Sequence, residues 1–283
     1  MKRSQIQLIS AMLIFGSLGL FVRQLPLPSA VIAALRAGIG AGVLGLYKVI
    51  RHTPLQLPKS FQARLALLIS GILLGSNWVF LFEAYRRTTV SVATLCYYLA
   101  PILVAFFTLM RSRTFNRHSG ILLLSALIGL GLLINPGAQL GSDPVIGISF
   151  GLIAALMYAG IILINPYFKA VSGLDSSCLQ LLIAALILLL YLFIQPPMIH
   201  WKAIITIQWG LVLVLGIVHT GIAYALYFSA LPKLNSTTAA FLSYIDPISA
   251  LLFSGFLLHE PFTILQIVGA VLILGVSWKL GRP

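Results

Sequence analysis

Acidic side chains are nearly absent from this chain: Asp and Glu number 5 in 283 residues, against 18 Lys and Arg. Charge of either sign is scarce, at 8% of the residues, while 60% are hydrophobic and the mean hydropathy is +1.05. A soluble protein of this length needs far more charge to cover its surface, so the solvent for most of this one is lipid. Cysteine is confined to Cys96 and Cys178, each inside an apolar run and without metal or redox spacing, so both read as small buried hydrophobes. An integral-membrane enzyme would need His, Asp or Cys clustered at a membrane face, and none cluster; no catalytic residue, metal or cofactor is expected. His259-Glu260 does not open a zinc motif, because Pro261-Phe262-Thr263 brings no second histidine.

The net charge of +13 would fit a nucleic-acid partner if the cations formed a patch. They sit instead at the ends of apolar runs, where Lys and Arg anchor and orient membrane segments, so no nucleic-acid binding is expected. The runs cover about residues 5–22, 29–50, 64–85, 90–110, 119–135, 145–168, 177–195, 207–231, 237–257 and 262–280. Each approaches the roughly 20 residues that a helix needs to cross hydrocarbon. Prolines punctuate the gaps: Pro26 and Pro28, Pro54 and Pro58, Pro136 (with Gly137) and Pro144, then Pro196 and Pro197. Backbone groups cannot stay unpaired in lipid, so runs of this length read as helices. Met1-Lys2-Arg3 resembles the start of a signal peptide, but no small-x-small cleavage site follows, and the segment reads as the first span. The fold class is therefore an all-α integral membrane bundle of ten transmembrane helices.

With the N-terminus inside, the cytoplasmic ends carry Lys2, Arg3, Lys48, Arg51, Lys59, Arg64, Arg111, Arg113, Arg117, Lys169, Lys233, Lys279 and Arg282. The outer ends carry only Arg23, Arg86, Arg87 and Lys202, and Arg36 lies within a span. This asymmetry places both termini in the cytoplasm of a multi-pass cell-membrane protein. The halves also match: a constant shift of 146 residues carries Gly75, Phe82, Ala84, Ala93, Tyr98, Pro101 and Phe107 onto Gly221, Phe228, Ala230, Ala239, Tyr244, Pro247 and Phe253. Five spans per half is an odd number, so residues 1–140 and 141–283 read as two inverted repeats, with a site between them near the midplane.

The second half contains Tyr244-Ile245-Asp246-Pro247, then Leu257-Leu258-His259-Glu260-Pro261-Phe262-Thr263, then Gln266, Gly269 and Gly275. This order resembles the second repeat of the EamA-type drug/metabolite transporters, and Tyr98-Leu99-Ala100-Pro101 resembles the matching piece of the first. The likeness extends over the whole chain through span count and duplication. One feature departs from it: the first-repeat glutamate that many members carry is replaced by Arg111-Ser112-Arg113-Thr114. The resemblance implies a ten-helix basket around a central cavity and export of amino acids or related metabolites.

Asp246 lies about ten residues into its span, where an ionisable group must face a cavity or a partner. Ser243, Asp246 and Ser249 recur every three residues beside Ala239 and Ala250, a polar stripe suited to contacting a substrate amine or holding a proton. Glu83 and Arg36 occupy the outer parts of their spans and are expected to pair, with Glu83 also a candidate for binding a cationic group. His219, mid-span, is a candidate proton carrier beside Asp246 and Glu83. Trp78 and Tyr224 are equivalent under the 146-residue shift, Tyr97 matches Ser243, and such aromatics either line a cavity or pack between helices. Asn77 needs a partner in lipid. Pro101, Pro247 and Asn165-Pro166 should kink helices. Glu260 reads as structural. Gly38-x-x-x-Gly42, Gly71-x-x-x-Gly75 and Gly147-x-x-x-Gly151 mark close helix contacts, within one chain or across a homodimer.

Three functions compete: an exporter of amino acids or similar small molecules, a carrier of small organic cations with or without proton coupling, and a structural membrane subunit. The last would need neither duplication nor Asp246. The charge asymmetry makes a direct prediction. In intact cells, a membrane-impermeant thiol reagent is expected to label a cysteine introduced beside Asp143 and spare one beside Lys59. The reverse pattern overturns the orientation.

Overall fold

The computed structural model describes residues 2–113, 116–133, 141–195 and 208–280, and these contain helices and no strand. Helix α1 runs Lys2–Gly16 and resumes at Leu18–Gln24; α2 is Ser29–Ile50 and α3 is Phe61–Arg87. Helix α4 comprises Val90–Tyr97 and Ala100–Ser112, and α5 is Arg117–Leu133. Helix α6 is Pro144–Ile164 with a tightened last turn, Asn165–Phe168, and α7 is Gly173–Ile194. Helix α8 comprises Trp209–Leu213, a π-helical stretch Val214–Ile222, Ala223–Ala230 and a 3₁₀ turn Leu231–Lys233. Helix α9 is Ser236–Ser243 followed by Ile245–Leu257, and α10 is Ile264–Leu280. Among the described residues, seven helices are long and apolar enough to cross a membrane, and shorter apolar helices cover Ser119–Leu133, Phe241–Leu257 and Ile264–Lys279. Pro136, Gly137, Pro196, Pro197, Lys202 and Arg282 lie outside the described residues.

Local chemistry sets the helix starts. Ser60, Thr89 and Asn235 each accept a hydrogen bond from the backbone N–H three residues on, satisfying a donor that the first turn leaves free. Ser172 and Asp175 cap α7 reciprocally: the serine accepts from the Asp175 N–H at 3.2 Å and donates to its carboxylate at 2.7 Å. This pair starts α7 at Gly173, four residues before the expected 177, and Asp175 is buried at 1% exposure.

The helices pack in pairs across the bundle. Helix α3 packs on α6 and α7, while α8 packs on α1 and α2; α4 packs on α6, and α9 on α1. Helix α2 also faces α7, and α5 faces α10. Glycines allow the close approaches. A Cβ on Gly71 would lie 2.7 Å from Ile183 of α7, and one on Gly151 would lie 2.9 Å from Cys96 of α4. Gly71, Gly75 and Gly151 thus bring helices of this chain together, Gly147 seats α6 against Thr88 in the turn between α3 and α4, and Gly42 meets nothing within 4 Å.

Ion pairs sit at the helix ends. Lys48 and Asp175 join α2 to α7 at one end of the bundle. At the opposite end Arg23 pairs with Glu260, and Arg87 reaches Glu83 at 3.6 Å and Asp143 at 3.7 Å.

The contact of α5 with α10 is backbone against backbone: a Cβ on Gly269 would stand 2.6 Å from the Gly129 carbonyl oxygen. Gly269→Ala is therefore expected to lower stability by about 1–3 kcal/mol, the usual cost of overpacking a tight core. Thermal melting in detergent checks this, and Gly275→Ala, where nothing lies within 4 Å, should leave the melting temperature unchanged.

Candidate functional site

Four helices depart from regular winding at the centre of the bundle. Pro101 and Pro247 have no N–H, so the carbonyls of Tyr97 and Ser243 lose their usual partners four residues on. Helix α4 breaks at Tyr98–Leu99 and α9 at Tyr244, positions related by the 146-residue shift. The break falls between Ser243 and Asp246, and Ser243 donates to the Ala239 carbonyl of its own helix. Helix α1 breaks at Ser17, where the Gly16 backbone presses on α9: a Cβ there would meet the Asp246 carbonyl oxygen at 2.7 Å.

Asp246 accepts a hydrogen bond from the Tyr98 hydroxyl, and Ser249 donates to its backbone carbonyl at 2.9 Å. Around it, Tyr97 stacks on Tyr158 at 5.1 Å between centroids, and Phe15 meets Tyr224 edge-on at 5.6 Å and Tyr227 at 6.3 Å. These side chains come from α1, α4, α6, α8 and α9, yet each keeps part of its surface accessible, as does Asp246. They line a space between the helices.

Beside this space lies a second polar cluster. Arg36 is 3% exposed, and its guanidinium lies 3.9 Å over the Trp78 ring and 5.8 Å from that of Phe82. Its Nε donates to Thr220 Oγ1 at 2.8 Å and its Nη2 to the His219 carbonyl at 3.5 Å. The π-helical winding of α8 presents both acceptors. His219, 2% exposed, holds Ser17 Oγ at 3.0 Å from Nε2 and packs on Phe21. The expected pair of Arg36 with Glu83 is thus not made. Arg36 turns inward onto Trp78, whereas Glu83, one turn further along α3, points toward Arg87 at the helix end. Asn77 is buried and donates to the Ala154 carbonyl of α6 at 2.6 Å.

Glu260 forms a node where three segments meet. Its carboxylate pairs with Arg23 of α1 and accepts from the Val90 N–H at 3.0 Å, the Ser91 N–H at 3.3 Å and the Ser91 hydroxyl at 3.2 Å, with Ser254 as a further donor. It therefore serves the first turn of α4, where amides have no helical partner, as well as an arginine.

The sequence matches the profile of the EamA-like transporter family twice, over residues 3–135 and 145–278. The chain belongs to that family. It is accordingly a multi-pass membrane protein of a transporter family, as the motif around Asp246 and Glu260 implies. A Bacillus subtilis relative, the uncharacterized transporter YxxF, is 30% identical over 98% of this chain and 89% of its own length. The threonine/homoserine exporter RhtA of Escherichia coli K12 is 26% identical over 87% of this chain and 79% of its own. A crystal structure with 19% identity and a TM-score of 0.63, covering 97% of this chain and 95% of its own, shares the fold.

Several residues of the site carry little sequence signal. Tyr158 and Tyr227 look like ordinary aromatics of apolar helices, and Thr220 matters only because the π-turn aims it at Arg36.

Glu260→Gln keeps the size of the side chain but sets an amide N–H₂ among donors. Stability is expected to fall by about 1.5–3 kcal/mol, the scale for a lost charge-assisted hydrogen bond. A drop in melting temperature that Arg23→Gln reproduces only in part would reveal the share held by the α4 amides; an unchanged Glu260→Gln protein would contradict the node.

Proposed function

We propose that the protein exports amino acids or closely related small metabolites by alternating access, through ten spans arranged as two inverted five-helix repeats, residues 1–140 and 141–283. The observation that carries the transport site is Asp246: a carboxylate at the broken middle of a spanning helix, facing an aromatic-lined space that it shares with four other helices. An ionisable group held at that depth is retained for contact with a substrate or an ion.

Several features support the repeat. The family profile matches once in each half. Under the 146-residue shift, cap Thr89 falls on cap Asn235, helix Val90–Tyr97 on Ser236–Ser243, and the left-handed Arg113 (φ 54°) on His259 (φ 53°). Gly75, packed on Ala184 of α7, corresponds to Gly221, packed on Val43 of α2. Exchanging α1–α5 with α6–α10 turns the α3–α6, α3–α7 and α4–α6 contacts into α8–α1, α8–α2 and α9–α1, all of which are present.

The amino-acid class draws on RhtA, whose name gives threonine and homoserine as its cargo. A second reading, a carrier of small organic amines, is favoured by the same carboxylate ringed by tyrosines, which also suits a cation.

Export from proteoliposomes loaded with the twenty L-amino acids, read by mass spectrometry, tests the proposal; amines loaded in parallel test the alternative. Asp246→Asn retains size and hydrogen bonding, so the fold should survive while transport falls at least tenfold, about 1.4 kcal/mol of barrier. Normal transport by folded Asp246→Asn protein would remove the carboxylate from the mechanism.

A further inference from the structure

Arg36 is a buried cation without an anion. Among the described residues it makes no ion pair, and its Nη1, buried, has no hydrogen-bond partner. An uncompensated charge in a low-dielectric interior is costly, and it persists where something else supplies the counter-charge. The guanidinium is also held in one orientation. Trp78 fixes its plane from below at 3.9 Å, and Thr220 Oγ1, taking the Nε proton at 2.8 Å, fixes its rotation within that plane. With Nε occupied and Nη2 only lightly engaged at 3.5 Å, the edge formed by Nη1 and Nη2 carries the unmatched donors. Two parallel N–H donors on one edge of a planar cation match the two oxygens of a carboxylate.

The cluster is close to the Asp246 space. Gly16 touches the backbone of Asp246 and the next residue, Ser17, touches His219, whose carbonyl in turn accepts from Arg36. The side chains of Tyr85 and Tyr97 lie within electrostatic reach of both Arg36 and Asp246. A positive and a negative group therefore share the same aromatic neighbours, Tyr85 and Tyr97.

We propose that Arg36 binds the carboxylate of the transported molecule, with Trp78 and Thr220 as its positioning residues, so that the substrate is a zwitterion held by its acid at Arg36 and by its amine at Asp246. This assignment rests on the transport reading above and narrows it: a simple organic amine would leave Arg36 unpaired and is rejected. The substrate class becomes free α-amino acids and excludes their esters, amides and decarboxylated amines.

The test is ligand-induced thermal stabilisation of the purified full-length protein in detergent, titrating each of the twenty L-amino acids, its methyl ester and its decarboxylated amine. The native protein should bind at least one free acid ten or more times more tightly than the matching ester or amine, a margin of about 1.4 kcal/mol. Arg36→Gln should abolish that margin. Arg36→Lys, which keeps the charge but loses the fork, should reduce it severalfold, and it stands in if the glutamine variant does not fold. Equal binding of acids and esters by the native protein, binding of none of them, or an undiminished margin in a folded Arg36 variant each overturns the assignment. The proteoliposome assay separates the two readings: export of amino acids without acid-over-ester preference sinks this inference alone, whereas no export of any amino acid or amine sinks both.

Discussion

In hydrocarbon there is no water to satisfy a backbone amide or carbonyl, and each one left bare costs several kcal/mol. That constraint governs the whole molecule. It makes every long apolar run a helix, and it makes every interruption an event that needs a local solution. The breaks in α1, α4, α8 and α9 converge on one region. Their solutions are visible: Ser277 of α10 donates to the Tyr98 carbonyl at 3.2 Å, Thr220 to the Leu215 carbonyl at 2.9 Å, and Ser17 to the Ile14 carbonyl at 2.8 Å. Irregular backbone is tolerated where it is enclosed by protein, and its polar groups and side chains become the site.

Around that region the bundle is held by close contact rather than by hydrophobic burial against water. Helix association in lipid depends on packing, and small residues allow backbones to approach. Gly40 packs against Thr220, Gly216 against Ile39, and Gly129 against Gly269. The first of these contacts has a direct functional reach. It seats α8 against α2 where Thr220 meets Arg36, so the geometry of the guanidinium depends on a glycine one turn away.

Much of this architecture was legible in the sequence because membrane folding uses coarse signals. Run length, proline punctuation and cation placement located the helices to within a few residues, and Tyr-x-Asp-Pro with His-Glu-Pro pointed to the family. Finer features were hidden for physical reasons. A π-helix has no residue signature, so the meeting of Thr220 and Arg36 could not be foreseen, and Glu83 was an equally plausible partner on depth alone. Ser243 and Asp246 look contiguous on a helical wheel, and the wheel does not show that a helix break at Tyr244 falls between them. Glu260 was recognisable as structural, but its service to the α4 amides depends on a contact between segments 170 residues apart.

The two buried carboxylates at the bundle's ends are set in opposition. Arg23 and the α4 amides meet Glu260 at one end, and Lys48 meets Asp175 at the other, and in both cases the partners come from different halves of the chain. Separating the halves at either end strips one carboxylate of its counter-charge, and for the buried Lys48–Asp175 pair that costs about 3–5 kcal/mol. Opening one end leaves the pair at the other intact, whereas parting both ends at once would add the two costs. The paired carboxylates therefore act as two independent latches between the halves of the chain.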